Sequence, residues 1–223
     1  RPRKKGALVR SKPYRTQPEF DNQIEVKSTN KIIRLDEFNP FAYTGHLFTP
    51  PKPPSVYMRV FGIDPGSTAT GFAVVQKHGG RFQLLSAGVI RTSSKDPIPF
   101  RLKTIYQGLS AQLTVSNVDC VAIESIFRHR SSESAIRLGQ ARGVALLAAA
   151  QHDRQVFEYN AMTVKKTVGG HGRAGKPEVA RIVARLLGAD HNLASDASDA
   201  AAIAITHLMH NPFQRMPISR RAH

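Results

Sequence analysis

Two short apolar runs in this chain each stop on a carboxylate: Val60-Phe61-Gly62-Ile63 ends at Asp64, and Val121-Ala122-Ile123 ends at Glu124. Unbroken apolar runs of this length read as strands buried on both faces, the kind found at the centre of an α/β sheet. A charge in that position is costly unless the strand end opens onto a ligand, and strand ends near the middle of a sheet are where such folds bind ligands. Asp64 before Pro65-Gly66 also suits a turn. Glu124 has no such use, because it interrupts a buried strand.

The segments around these runs predict the rest of the domain. Gly71-Phe72-Ala73-Val74-Val75 and Phe82-Gln83-Leu84-Leu85 flank the turn His78-Gly79-Gly80 and predict a hairpin, with a third strand through Gly88-Val89-Ile90. Leu102, Ile105, Tyr106, Leu109 and Leu113 recur at helical spacing and predict a helix over 99–117. A long helix rich in Ala, Leu and Gly is predicted from Ser131 to Gln151, with Ser131 or Ser132 as its N-cap. Its small residues Gly139, Gly143, Ala145 and Ala149 stand among Leu138, Val144, Leu146 and Leu147, more apolar surface than one sheet covers. A short strand at 156–159, helices at 161–168 and 177–187 around a glycine-rich loop, and a last helix from 195 to 209 follow. Strands first and helices alternating later give an α/β class: a mixed sheet, antiparallel and parallel, flanked by helices.

Asp196 and Asp199 stand three residues apart at the start of the otherwise apolar last helix, so both face one side. Asp196 by itself also suits a helix N-terminus, where the macrodipole favours an acid. Three elements thereby offer four carboxylates to one point. Like charges so close repel, and a cation is needed to hold them. Donors made only of oxygen select Mg²⁺, with Mn²⁺ able to substitute, over zinc. Two such ions roughly 3.5–4 Å apart activate a water and stabilise the leaving oxygen of a phosphodiester. The 32 Lys and Arg against 16 acids, a net charge of +16, point to a polyanionic partner, nucleic acid before an anionic membrane. No stretch approaches the ~18 consecutive apolar residues of a membrane span. A single Cys, Cys120, excludes an intrachain disulfide framework and a cysteine-based zinc site; within its apolar run it reads as a small buried hydrophobe in a reducing compartment.

Residues 1–57 differ in kind. They hold eight of the 14 prolines, including Pro50-Pro51-Lys52-Pro53-Pro54, and no sustained apolar period. A basic, Pro-rich, disordered extension is expected there. It reads as a DNA-tracking arm, as a targeting segment, or as an upstream extension with Met58 the natural first residue, the last being preferred. Glu19, Asp21, Glu25, Asp36 and Glu37 argue against a transit peptide, which is acid-poor. The remainder divides into a nuclease domain at 58–210 and a basic tail at 211–223.

With Asp64-Pro65-Gly66-Ser67, Ala122-Ile123-Glu124-Ser125-Ile126-Phe127, Leu138-Gly139-Gln140-Ala141-Arg142-Gly143 and Asp196-Ala197-Ser198-Asp199-Ala200, the chain resembles the RuvC family of bacterial crossover-junction endonucleases from Met58 to about His210. The resemblance implies a ribonuclease-H-like fold, a cytoplasmic homodimer, and Mg²⁺-dependent resolution of four-way (Holliday) junctions in recombination and repair. It also implies a branch-migration helicase of the RuvA–RuvB type as partner. Matched motif by motif, Asp64, Glu124, Asp196 and Asp199 fall on the four catalytic, metal-holding carboxylates. Phe127 matches an aromatic that stacks on bases, with Arg128 and Arg130 beyond it in an exposed loop. Lys165 and Lys176 match basic residues near the DNA backbone or the scissile phosphate; Lys166 and Arg173 complete the DNA-binding set.

Two motifs are decoys. Gly170-His171-Gly172-Arg173-Ala174-Gly175-Lys176 spells the first part of a phosphate-binding P-loop, but Pro177 replaces the Ser or Thr that holds Mg²⁺ and a helical segment precedes it. A loop offering N–H groups and cations to DNA phosphates fits better. The stretch from Asp64 to Gly71 also resembles a phosphate loop of actin-like ATPases, which need two such domains where this chain has room for one. The rival functions are a ribonuclease-H-like nuclease acting on RNA or RNA–DNA hybrids, and a non-catalytic basic DNA-binding module. His129, His171 and His207 are expected on a DNA-facing surface.

Overall fold

The computed structural model describes residues 57–125, 132–188 and 193–210, together with the backbone of Ile24–Lys27. Six strands, β1 (Ile24–Lys27), β2 (Met58–Asp64), β3 (Ala69–His78), β4 (Arg81–Arg91), β5 (Cys120–Glu124) and β6 (Gln155–Tyr159), form one sheet in the order β1-β4-β3-β2-β5-β6. The pairs β1–β4, β4–β3 and β3–β2 are antiparallel, whereas β2–β5 and β5–β6 are parallel. The helices are α1 (Ile98–Ser116), α2 (Ser132–Gln151), α3 (Ala161–Gly169), α4 (Lys176–Leu187) and α5 (Ser195–His210). This is the mixed sheet flanked by helices that the sequence pattern predicts, and the ribonuclease-H-like fold that the family resemblance implies. No helix among the described residues is long and apolar enough to cross a membrane.

Side chains along β2 alternate between two cores. Val60 faces one core with Val75, Ala122 and the apolar side of α5, and α3 and α4 close that side. Phe61 and Ile63 face the other, with Phe72, Val121, Ile123, Ile105 of α1 and Ala145 of α2. Phe61 and Phe72 are fully buried and stack with ring centroids 5.9 Å apart. Each such side chain stabilises the fold by roughly 2–3 kcal/mol through the area it removes from water.

Two features differ from the sequence expectation. The two strands expected at 82–85 and 88–90 are one continuous strand, β4, because Ser86 and Ala87 stay in the ladder opposite Val74 and Ala73, and a bulge at Val74/Val75 absorbs the offset. Ser and Ala break an apolar run without breaking a hydrogen-bonded one. Strand β1 comes from the Pro-rich segment and lines up against β4, Ile24 opposite Ile90. Ser131, one of the two candidate caps of α2, lies outside the described residues.

Candidate active site

Parallel pairing of β2 and β5 sets Ile63 opposite Ile123, so the next residues, Asp64 and Glu124, leave the sheet side by side. The turn after Asp64 is held by buried polar groups. Thr70, fully buried, donates its hydroxyl to the Gly66 carbonyl at 2.7 Å. Arg101, 2% exposed, donates Nε to the Ser67 carbonyl at 3.1 Å. Across the strand ends runs α5, so close that a Cβ on Gly71 would run into the Asp196 carbonyl oxygen and one on Gly62 into that of Ala200. Only glycine lets the helix backbone approach the sheet this far. The alanines of α5 leave it nothing bulky to hold it off.

This approach brings Asp199 to Asp64 and Glu124. The three carboxylates, with Lys165 from α3 and Lys176 from α4, line a cavity of about 190 Å³ over a floor that includes Val164, Val179 and Ile203. Lys176 Nζ donates to Asp199 Oδ2 at 2.8 Å, with the lysine side chain largely exposed at the cavity mouth. The Asp64 and Glu124 carboxyls share a hydrogen bond. Burial, then the charges of Glu124 and Asp199, push Asp64 up to about 8, against the pull of Lys176. Burial also raises Glu124, opposed by that hydrogen bond and by the charges of Lys176 and Lys165. The hydrogen bond to Asp199 raises Lys176 above its ordinary value despite its own desolvation. Lys176 offsets one of the three carboxylate charges, and the two that remain suit a divalent cation among oxygen donors.

Asp196 sits half-buried in the first turn of α5, outside the cavity lining, and its charge acts on Lys176. Among the described residues no three His, Cys, Asp or Glu side chains already form a ligand set around one point. Lys166 is exposed on the last turn of α3, and Arg173 is exposed in the loop between α3 and α4. His171 is exposed as expected, 3.6 Å from Glu178. Phe127, Arg128, His129 and Arg130 lie outside the described residues.

His207 corrects the expectation of a surface histidine: it is 2% exposed. Its Nδ1 lies 2.8 Å from the Tyr159 hydroxyl and its Nε2 lies 3.4 Å from Cys120 Sγ, with the Phe157 ring against it. Burial, then the charge of His210, hold it down at about 4. The spacing Asp199, Ile203, His207 puts it on the inward face of α5, and that four-residue step was the signal available in the sequence. Arg101 carried a similar signal, standing four and eight residues before the buried Ile105 and Leu109 on one stripe of α1.

The family model for crossover junction endodeoxyribonuclease RuvC matches residues 60–207. The chain belongs to the RuvC family. RuvC of Cronobacter sakazakii is 49% identical over 148 residues, 66% of this chain and 85% of that relative. RuvC of Pectobacterium atrosepticum is 47% identical over 152 residues, 68% and 89% of the two chains. Among solved structures, Thermus thermophilus RuvC in complex with a Holliday junction substrate superposes with a TM-score of 0.65 at 38% identity, covering 68% of this chain and 93% of that one. A yeast mitochondrial Holliday junction resolvase, at 11% identity and a TM-score of 0.50 over 67% and 77% of the two chains, shares the fold.

Proposed function

We propose that this RuvC-family chain is a structure-selective endonuclease that resolves four-way (Holliday) DNA junctions by metal-dependent phosphodiester hydrolysis. The observation that carries the reading is the cavity where three carboxylates from β2, β5 and α5 meet two lysines from α3 and α4. Similarity to the Thermus thermophilus enzyme bound to a Holliday junction supports the same substrate here.

Asp64, Glu124 and Asp199 are the proposed ligands, with Asp196 completing the set from the first turn of α5. The donors are all carboxylate oxygens, which fits Mg²⁺, two ions per site, with Mn²⁺ as a substitute. When bound, such ions supply an activated water and stabilise the leaving oxygen. The chain supplies the rest. Asp64 and Glu124 would act as ligands in their ionised form. Lys176 orients Asp199 and presents a cation to the phosphate at the cavity mouth, and Lys165 adds a second on the Glu124 side. Lys166 and Arg173, with Phe127, Arg128 and Arg130, are the proposed wider DNA contacts. Those made to phosphates fix register and carry no sequence information.

The outer face of α2 is the proposed dimer contact. Ile136 and Leu147 are 62% and 52% exposed there, and a Cβ added at Gly139 or Gly143 between them would meet open space. A two-fold contact on such a stripe sets two cavities against opposing strands. A branch-migration helicase of the RuvA–RuvB type and a cytoplasmic setting complete the proposal from the family.

Incubation with a synthetic four-way junction, a linear duplex and an RNA–DNA hybrid, each with and without Mg²⁺, tests the reading. Symmetric nicks in the junction alone, only with Mg²⁺, are expected. Preferential cutting of the hybrid would instead make this a ribonuclease-type enzyme, and binding without cutting a DNA-binding module.

A further inference from the structure

Arg142 on α2 belongs to the segment Leu138–Gly143, and it does not line the cavity. It reaches the catalytic strand from behind. Its Nε donates to the backbone carbonyl of Glu124 at 3.3 Å, and its Nη2 pairs with Glu158 Oε2 at 2.6 Å. One guanidinium therefore ties α2 to the ends of both β5 and β6. Arg142 is 18% exposed but Glu158 is 51% exposed, so solvent screens the ion pair and its stabilising effect is small. Its use is geometric. A planar guanidinium held at Nη2 by the Glu158 carboxylate keeps its Nε–H aimed in one direction.

That direction matters because of what it holds. Glu124 pairs with Tyr159 in the parallel ladder, and the next amide, Ser125 N, donates to the Tyr159 carbonyl at 2.9 Å. The peptide group joining Glu124 to Ser125 is thus fixed on both sides, its N–H by β6 and its C=O by Arg142. Fixing that plane fixes ψ at Glu124, and with it the path by which the carboxylate leaves the strand toward Asp64. Here the ladder ends, and a strand end without such a partner frays.

We propose that Arg142 is a positioning residue that holds Glu124 in its metal-binding orientation. The inference rests on the reading of the cavity as a metal centre. The alternative is an arginine that only staples α2 to the sheet. Calorimetric titration of the full chain with Mn²⁺, DNA absent, separates the two when run beside thermal melts. Arg142→Met keeps the length and removes the donors, Arg142→Lys keeps the charge without the fork, and Glu158→Gln keeps the carbonyl bond while weakening its orienting partner.

Loss of a group that orients a ligand weakens metal binding by roughly 10- to 100-fold. That loss is expected for Arg142→Met, with partial recovery in Arg142→Lys and a smaller loss in Glu158→Gln. Arg142 variants that melt earlier yet bind Mn²⁺ as tightly as the wild type would overturn the proposal. If Arg142→Met does not fold, unchanged Mn²⁺ affinity in Arg142→Lys and Glu158→Gln overturns it equally. A wild-type chain that binds no Mn²⁺ overturns the metal-centre reading itself and takes this inference with it.

Discussion

Burial and two neighbouring carboxylates oppose the ionisation of Asp64 and push it up to about 8. Removing one of those charges therefore has two opposite effects. Asp64→Asn or Glu124→Gln should lower single-turnover junction cleavage by more than about 100-fold, beyond what loss of an orienting group alone costs. Junction binding should persist or tighten, since the metal-loaded site then presents one ionised ligand fewer to the phosphate and no DNA-facing cation is lost. Normal nicking by both variants would remove these residues from the reaction. Both acids were readable in the sequence because a carboxylate that ends a buried run has few structural uses. His207 was harder to read, since a histidine near a helix end fits surface and core alike; only its four-residue step from Asp199 and Ile203 marked the inward face, where it packs against Cys120 and Tyr159. Its folded-state value of about 4 lies below the ordinary 6.5, so between these pH values the unfolded chain binds a proton that the folded chain refuses. The stability His207 contributes is complete above pH 6.5 and is lost as the pH falls toward 4. The full loss is on the order of 3 kcal/mol. Urea midpoints of wild type and His207→Gln at a series of pH values should converge as the pH falls across that window. A constant gap between them would mean that His207 is not buried as a neutral group.

Helix α5 owes its place to what β2 and β3 lack. The Gly71 position faces the Asp196 carbonyl without room for a Cβ, so Gly71→Ala must displace the helix that carries Asp199. Overpacking of this kind costs about 1–3 kcal/mol. A lower melting temperature and weaker metal-dependent cleavage should appear together; cleavage unchanged in the face of a lower melting temperature would separate the helix's fit from the site. The Asp196–Asp199 spacing showed in the sequence that one helix face carries two acids. It could not show that Asp199 lines the cavity while Asp196 stands outside it, because their angular offset on the helix matters only once the helix is seated. Continuity of β4 was hidden for a related reason: Ser86 and Ala87 have weak strand preference, and cross-strand pairing overrides it. At α2 the prediction concerns assembly. Leu147→Glu places a charge on the exposed apolar stripe and should shift the chain to monomer in sedimentation velocity at micromolar concentration, with the secondary structure intact. An unchanged sedimentation coefficient would put the dimer contact elsewhere or nowhere.

Charge and topology act together over the whole chain. Residues 1–57 hold 11 of the 32 Lys and Arg and five of the 16 acids, so the remainder keeps a net charge of +10 by itself. Three of those charges, Arg215, Arg220 and Arg221, lie beyond His210, so residues 58–210 keep +7; positive charge that favours a polyanion thus travels with the nuclease fold, and the acidic cavity is an exception within it. Composition alone announced the polyanion, and the motifs announced the family. Neither could show that Lys176 offsets one of the carboxylate charges in the cavity, because that depends on elements distant in sequence meeting at one end of the sheet. The activity expected of the whole molecule is paired, metal-dependent cutting of one four-way junction. A supercoiled plasmid that extrudes a cruciform reads this directly, since two symmetric nicks made within one binding event yield linear DNA, whereas independent nicks relax the plasmid and reabsorb the cruciform first. With the wild-type chain and Mg²⁺, linear product should form without accumulation of nicked circles, and neither should form without metal. Nicked circles alone, or linear product that persists in the absence of a divalent ion, would contradict the account.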